Sequence, residues 1–405
     1  MKGEVSILKI LYLGYFCPEP LFATLSEADQ DLSIAAHKYE TQLLTQLSFQ
    51  LHTGKIADIR IVSILSYITG ASDRPAHGQF KGLSINYVWK DRHANLPPIS
   101  ALKRVKELVN NWLSETEGQE RIVLTYATNI ALLYPLLLGN RNVKVVTICS
   151  EIPQYRIMTG GRVKQMLKRS IARYLNDRMD GYVYFSKHMS EATNPYKKPS
   201  IVIEGLPDIR VSSDVVPPSV VRPEIILYAG YLLKENGIDI LLEAIMRPEC
   251  KEVELWLCGA GEMVSRAKEC AAQCDRIRYL GQLPNERILE LEREATLLIN
   301  PRKPDNLLTR YSFPSKTFEY LTSGTPAIIT RLDGIPDEYY DFCYTCDVSS
   351  AETLAHDLRR VLDIPQSERF EKANEALRFI AKNKSSESQV ERILLFLTDL
   401  ARGEQ

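Results

Sequence analysis

The chain of 405 residues has no apolar run as long as the roughly 18 residues a membrane-spanning helix needs, so none of its helices is expected to cross a bilayer. Its first residues, MKGEVSILKILYL, lack the layout of a signal peptide, and a cytoplasmic location is expected. Neither sign of charge is in surplus. Against 51 Asp and Glu stand 50 Lys and Arg, a net charge of −1. That balance gives no reason to expect nucleic acid as a partner and confines any electrostatic function to local clusters. No nucleophile with an obvious partner base is legible. The eight cysteines include two close pairs, Cys270 with Cys274 in ECAAQC and Cys343 with Cys346 in FCYTCD. Neither pair has the turn-forming glycines of a zinc knuckle, so no metal is expected and the cysteines read as reduced, half-buried thiols. What is present is ordinary for a globular chain: 45% hydrophobic and 25% charged residues, in a length that suits two or three domains.

Apolar, β-branched runs alternate with helical patterns. In the first half the runs are Ile7–Leu13, Ile59–Leu65, Ile85–Trp89, Ile122–Tyr126, Val143–Ile148, Tyr182–Phe185 and Ile201–Ile203, with helices at Leu32–Leu47, Ala101–Leu113, Ile130–Leu138 and Val163–Tyr174. Continuous apolar strands between helices predict a mostly parallel sheet covered on both faces, with ligands at the carboxyl ends of its strands. Gly14, closing the first strand, is one such strand-end candidate. The segment LPDIRVSSDVVPPSVVRP, residues 206–223, breaks the pattern with four prolines and reads as a linker. Strands then resume at Ile225–Tyr228, Val253–Cys258, Ile277–Leu280, Thr296–Asn300 and Ala327–Thr330. Helices are predicted at Ile238–Met246, Glu262–Gln273, Glu286–Arg293 and Ser315–Thr322, and a helical tail runs from Ala351 to Ala401 with breaks near Pro365 and Ser385. The domains so drawn are 1–205, 224–385 and a final helix, 386–405, packing back across the linker.

The stretch TRYSFPSKTFEYLTSGTPAIIT, Thr309 to Thr330, holds the densest chemistry. It parses as loop, short helix and buried strand, with Ser315 as N-cap and Gly324 just past the helix end. A helix start leaves N–H groups unpaired and carries partial positive charge, which suits a phosphate. Lys316 adds a full charge there. Glu319, three residues on and on the same helix face, could accept two hydrogen bonds from a vicinal diol such as a ribose.

Other candidates have simpler rivals. Gly259-Ala260-Gly261-Glu262 follows the strand VELWLC, but Val264 stands where a dinucleotide fingerprint has its third glycine, so a tight strand-to-helix turn accounts for it. Lys234 is either a phosphate ligand or a solvated loop lysine, and Arg302 is a further basic candidate at a strand end. Glu151, at the end of VKVVTICS, either orients an acceptor hydroxyl or is solvated. His37 reads as a packed or surface helix residue rather than a base. The helix RVKQMLKRSIARYLNDR concentrates Lys164, Lys168, Arg169 and Arg173 around an apolar stripe of Val163, Met166, Leu167, Ile171, Tyr174 and Leu175, either a solvated face or a membrane-surface contact.

The phrase FPSKTFEYL followed by SGTP resembles the donor-site motif of glycosyltransferase family 4, in its bacterial capsular and exopolysaccharide branch. VTICSEIPQYR, GYVYFSKHMSEATN, SIVIEGLPD, LYAGYLLKENGIDILLEA and TLLINPR extend the resemblance over most of the chain. It implies the GT-B fold, two doubly wound Rossmann-like domains facing each other across a cleft. It also implies metal-independent transfer of a hexose-type sugar, with retention, from a UDP- or GDP-linked donor, without a cofactor. The implied acceptor is a lipid-linked oligosaccharide at the inner face of the cell membrane.

Glu319 matches the family's ribose-holding glutamate. Three positions depart from its pattern. Tyr311 stands where the family has a first glutamate beside the donor sugar, and Tyr231 and Asn236 stand where it has an arginine and a lysine that clamp the pyrophosphate. Lys234, Lys316 and Arg302 are the basic residues available to replace that clamp. The Gly259–Gly261 loop becomes a wall of the nucleotide pocket, with Ser315 and Lys316 at the diphosphate. The departures leave two alternatives, a non-catalytic glycosyltransferase-like subunit and a sugar-nucleotide epimerase of the same fold.

Overall fold

The computed structural model describes residues 7–28, 33–67, 74–91, 98–138, 142–150, 152, 162–209, 224–305 and 307–404. The chain divides into two compact units, Met1–Leu206 with Ser386–Gln405, and Pro207–Ser385. Most of the segment read as a linker lies outside the described residues.

The first unit is built on β1 (Lys9–Gly14), α1 (Glu19–Ala28), α2 (Ile34–His52), β2 (Asp58–Tyr67), β3 (His77–Phe80), β4 (Leu83–Asp91), α3 (Ile99–Glu115) and β5 (Arg121–Tyr126). It continues with α4 (Ile130–Leu138), β6 (Lys144–Cys149), α5 (Arg162–Asp177), β7 (Gly181–Tyr184), α6 (Lys187–Thr193) and β8 (Ser200–Val202). Its eight strands run in the order β3-β4-β2-β1-β5-β6-β7-β8, parallel except for the antiparallel pair β3 and β4. Strands β1, β5 and β6 are buried at every position after the first, as strands covered on both faces must be.

The second unit comprises β9 (Glu224–Ala229), α7 (Ile238–Ile245), β10 (Val253–Cys258), α8 (Val264–Gln273), β11 (Ile277–Gly281), α9 (Asn285–Glu294), β12 (Leu297–Asn300) and α10 (Leu307–Tyr311). Then come α11 (Ser315–Leu321), β13 (Ala327–Thr330), β14 (Tyr344–Cys346), α12 (Ala351–Leu362) and α13 (Gln366–Asn383). Its six-stranded sheet, β11-β10-β9-β12-β13-β14, is parallel throughout. One face is covered by α7, α8 and α12, with Ile226 and Tyr228 of β9 in that core. The other face buries Ile225, Leu227 and Ala229 against Leu291, Phe318, Tyr320 and Ile380.

The last helix, α14 (Ser386–Arg402), lies in the first unit, where Val390, Ile393, Phe396, Leu397 and Leu400 enter the same core as Ile10, Tyr12 and Leu124. Gln389 donates to Glu204 at 3.1 Å, and Lys55 pairs with Glu391 at 2.6 Å. All eight cysteines are free, and seven are fully buried rather than half-buried, because most lie on strands or helix faces that form the cores. Among the described residues no helix is long and apolar enough to cross a membrane.

In each sheet the chain reverses its direction of growth once. From β1 it moves outward through β2, then restarts at β5; from β9 it moves through β10 to β11, then restarts at β12. A doubly wound sheet opens a crevice at the carboxyl ends of such neighbouring strands. The crevices are therefore expected above β1/β5 and β9/β12, and the chemistry of the two units collects there.

Candidate functional site

In the second unit the strand-end loops are joined backbone to backbone. The Gly230 N–H donates to Cys258 O at 2.9 Å, Leu232 N–H to Ala260 O at 2.8 Å, and Met263 N–H to Leu232 O at 3.0 Å. These bonds bring the loops after β9 and β10 so close that a Cβ on Gly259 would lie 1.8 Å from Gly230 O, and one on Gly261 2.3 Å from Leu232 O. Both glycines also hold positive φ, 133° and 145°. Their identity is thus dictated by the packing of two loops, in line with a tight turn. The helix that follows starts at Val264 rather than at Glu262, whose carboxylate accepts the Lys234 N–H at 3.1 Å from the turn before it.

Helix α11 begins one residue earlier than Ser315 as its cap would place it. Pro314, with φ −68° and ψ 120°, occupies the cap position and has no side chain able to cap; its carbonyl accepts the Thr317 N–H at 2.9 Å. Ser315 is therefore the first helical residue and its side chain is exposed. Gly324 takes the left-handed conformation, φ 76°, just beyond the helix end. Thr317, Phe318, Tyr320 and Leu321 face inward, which leaves Lys316 and Glu319 half-buried on the outer face as a direct ion pair. Lys316 Nζ lies 5.8 Å from the Tyr320 ring centroid, and the Tyr320 hydroxyl accepts the Ala229 N–H at 3.3 Å. Through Tyr320 the pair is tied to the carboxyl end of β9.

Arg302 approaches the same strand end from the other face. It follows β12, and its electrostatic neighbours are Tyr228 and Glu235. Burial lowers the pKa of its guanidinium from the usual range, with Tyr228 and Glu235 pulling the other way. Its Nε is enclosed and has no hydrogen-bond partner among the described residues. The two positions where the resemblance would place clamp cations brace the loop instead. Asn236 Nδ2 donates to Tyr231 O at 2.8 Å, and the Tyr228 hydroxyl donates to the same oxygen at 2.9 Å. The Tyr231 side chain is 65% exposed, and the Lys234 side chain is exposed as well. Tyr311 ends α10, half-buried. A depression of about 700 Å³ is walled by Lys303, Thr330, Arg331, Cys346, Ser349 and Arg360 at the ends of β12, β13 and β14. Its cations are already engaged, Lys303 with Asp239 at 2.9 Å and Arg360 with Asp357 at 2.8 Å.

The first unit contains a group that sequence reasoning passed over. Glu40 of α2 is buried at the end of β1, where its Oε1 accepts the Tyr12 hydroxyl at 2.7 Å and the Tyr15 N–H at 3.1 Å. Burial pushes its carboxyl up to about 7 against the opposing pull of those two donors. Gly14 is small because of this contact: a Cβ there would lie 2.4 Å from Glu40 Oε1. Gly14 thus stands in the first unit, at the β1/β5 switch, where Asn129 also donates to the Tyr15 hydroxyl at 2.9 Å. The only cue to Glu40 was its place one helical turn after His37. His37 itself is packed, stacked 3.7 Å from the Phe22 ring, its Nε2 2.9 Å from Glu19 Oε2. Burial lowers its pKa, with Glu19 opposing. Glu151 lies outside the described residues.

On α5 the predicted apolar stripe divides. Leu175 is buried, but Met166 is 69% and Leu167 61% exposed beside Lys168 and the exposed Arg169 and Arg173; the side chain of Lys164 is outside the description. Arg178 covers the exposed Tyr174 ring at 4.4 Å.

Two α/β domains with parallel sheets, wound in this order, are the GT-B fold. Residues 223–363, within the second unit apart from its last helix, match the family model described as Glycosyl transferases group 1. Similar solved structures span nearly the whole chain. A glycosyltransferase from Rickettsia africae is 15% identical, with a TM-score of 0.62 over 99% of this chain and 100% of that one. A trehalose-6-phosphate structure from E. coli bound with UDP-2-fluoro glucose is 10% identical, with a TM-score of 0.61 over 96% and 99%. A lipopolysaccharide outer core galactosyltransferase is 12% identical, with a TM-score of 0.60 over 98% and 100%. At these identities the likeness is one of fold. No curated protein matches the sequence.

Proposed function

We propose that the chain is a retaining, metal-independent glycosyltransferase that moves a hexose-type sugar from a UDP- or GDP-linked donor to a hydroxyl of a lipid-linked oligosaccharide in cell-surface polysaccharide assembly. The observation that carries this reading is the grouping of Lys316, Glu319 and the start of α11 at the β9/β12 switch, within the region similar to glycosyl transferases group 1. A fold neighbour holding a UDP-sugar analogue and another acting on lipopolysaccharide outer core support the donor and acceptor classes.

In this reading Glu319 accepts the ribose hydroxyls and Lys316 turns from Glu319 to the diphosphate. The N–H groups that open α11 add to the positive potential. As the glycosidic bond breaks, negative charge grows on the leaving diphosphate, and fixed donors there lower the barrier. A donor phosphate oxygen takes the acceptor proton, so the protein supplies no nucleophile. Hydrolysis of a nucleotide-sugar panel, followed by transfer to added oligosaccharide, tests the proposal. Slow hydrolysis with acceptor-dependent transfer is expected; isomerised donor would identify an epimerase, and no turnover with any donor a non-catalytic subunit.

The exposed Met166 and Leu167 among basic residues support contact of α5 with the inner face of the membrane. At about 1 kcal/mol per basic residue near an anionic surface, four such residues contribute a factor of roughly 10²–10³ in binding. Reversing Lys164, Lys168, Arg169 and Arg173 to glutamate should therefore abolish sedimentation with anionic vesicles at low salt. Unchanged sedimentation would reject the contact.

A further inference from the structure

The cations around the β9/β12 switch are not equivalent. Lys303 is paired with Asp239, Lys316 with Glu319, and Arg310 lies 3.7 Å from Asp333. Arg302 has no hydrogen bond or ion pair to its guanidinium among the described residues, although its Nε is closed off from solvent. The acid nearest to it electrostatically is Glu235, which makes no ion pair with it; the Glu235 backbone oxygen accepts the Lys303 N–H at 3.1 Å.

A guanidinium carries five donors in a rigid fork and does not lose its charge in a protein. Enclosing one with no anion hydrogen-bonded to it is costly, so a packing role would be served better by an uncharged side chain. The site is completed chemically by a polyanion above the ends of β9 and β12. A ligand there would have Arg302 on the Tyr228 face of the sheet and α11 on the Tyr320 face.

The loop after β9 carries one cation, Lys234, whose side chain is exposed on a flexible stem. Position 231 is an exposed tyrosine, and Asn236 spends its amide on the Tyr231 carbonyl. We propose that Arg302 is the residue that grips the donor diphosphate in this chain, a preformed fork at the end of β12 in place of the cations missing at positions 231 and 236. This assignment rests on the nucleotide-sugar reading above. It also assigns Lys316 and Arg302 different starting states: one must leave an ion pair when donor arrives, and the other is waiting without one.

The test is calorimetric titration of the full chain with UDP, GDP, the corresponding monophosphates and inorganic pyrophosphate, for wild type, Arg302→Met and Arg302→Lys, with ligand-free melting of each. The wild type should prefer diphosphates to monophosphates. Arg302→Met should lose that preference, with diphosphate binding roughly 10- to 100-fold weaker, as expected for charged hydrogen bonds. Arg302→Lys should recover part of the loss, since it returns the charge without the fork. Ligand-free Arg302→Met should melt no lower than wild type, and a few degrees higher if the buried charge is as uncompensated as its surroundings indicate.

A retained diphosphate preference in Arg302→Met would overturn the assignment. So would lost binding accompanied by a lower Tm in both variants, which would make Arg302 a structural residue. Arg302-dependent binding of pyrophosphate without binding of any nucleoside diphosphate would keep the anion site and sink the nucleotide-sugar reading. No binding of either by the wild type would sink both.

Discussion

Lys316→Ala should lower kcat by about 10²–10³ while donor KM changes little, the magnitude seen when one preorganised charge-stabilising donor is removed. Glu319→Ala should do the reverse. Its bonds to a ribose are the same before and during bond cleavage, so their loss raises donor KM, by roughly 1.5–3 kcal/mol for hydrogen bonds to a charged group. The ion pair between the two side chains refines this expectation. Donor binding must separate them, and because both are half-exposed the separation costs about 1 kcal/mol or less. Each single variant removes that cost, so Glu319→Ala is also left with a Lys316 already free for the diphosphate, which partly offsets the loss of ribose contacts. The double variant should therefore depart from additivity in KM but not in kcat. Both variants should fold, since surface changes of this kind shift stability by about 0.5 kcal/mol. Steady-state kinetics with the true donor decide the matter: two variants that lose only donor affinity would remove Lys316 from the leaving group.

The alternation of strands and helices was legible because parallel strands buried on both faces carry continuous apolar runs. Val253–Cys258 and Ala327–Thr330 were read to the residue for that reason. The elements passed over have no such signal. Strand β3, HGQF, is an antiparallel edge with no fully buried residue, and β14 is three residues long, its Cys346 first noticed as half of a possible metal pair. In the site, Lys316 and Glu319 were legible because three residues on a helix bring side chains to one face. The same spacing permits the ion pair between them. The isolation of Arg302 was not legible, because it depends on which partners the fold delivers from distant segments, and no spacing in the chain records that. Glu40 was hidden similarly. A glutamate on a helix reads as solvated until β1 brings Tyr12 and Tyr15 to its carboxyl.

Gly259→Ala should destabilise the second unit by several kcal/mol, the largest stability effect expected at a position with no side chain to lose. A methyl group at φ 133° is strained by itself, at about 1–3 kcal/mol. It would also lie 1.8 Å from Gly230 O, and the loop cannot withdraw cheaply. The Gly259 N–H donates to Gly281 O at 2.8 Å, the Gly259 carbonyl accepts the Tyr279 hydroxyl at 2.8 Å, and the Gly230 N–H holds Cys258 O at 2.9 Å. Relieving the clash breaks one or more of these at about 1 kcal/mol each or more. For a unit of this size each kcal/mol moves Tm by about 2–4 °C, so a fall of roughly 10 °C is expected. Gly281→Ala separates conformation from contact. Its φ is also positive, 80°, but nothing lies within 4 Å of the added Cβ, so only the left-handed strain of about 1–2 kcal/mol applies. The same comparison decides what the glycine pair is for. If Gly259→Ala melted like wild type but no longer bound nucleoside diphosphates, the loop would be a phosphate cradle kept bare for its ligand. A large loss of stability with nucleotide affinity retained in the folded fraction would identify it as the joint between two strand-end loops, the role its backbone contacts describe.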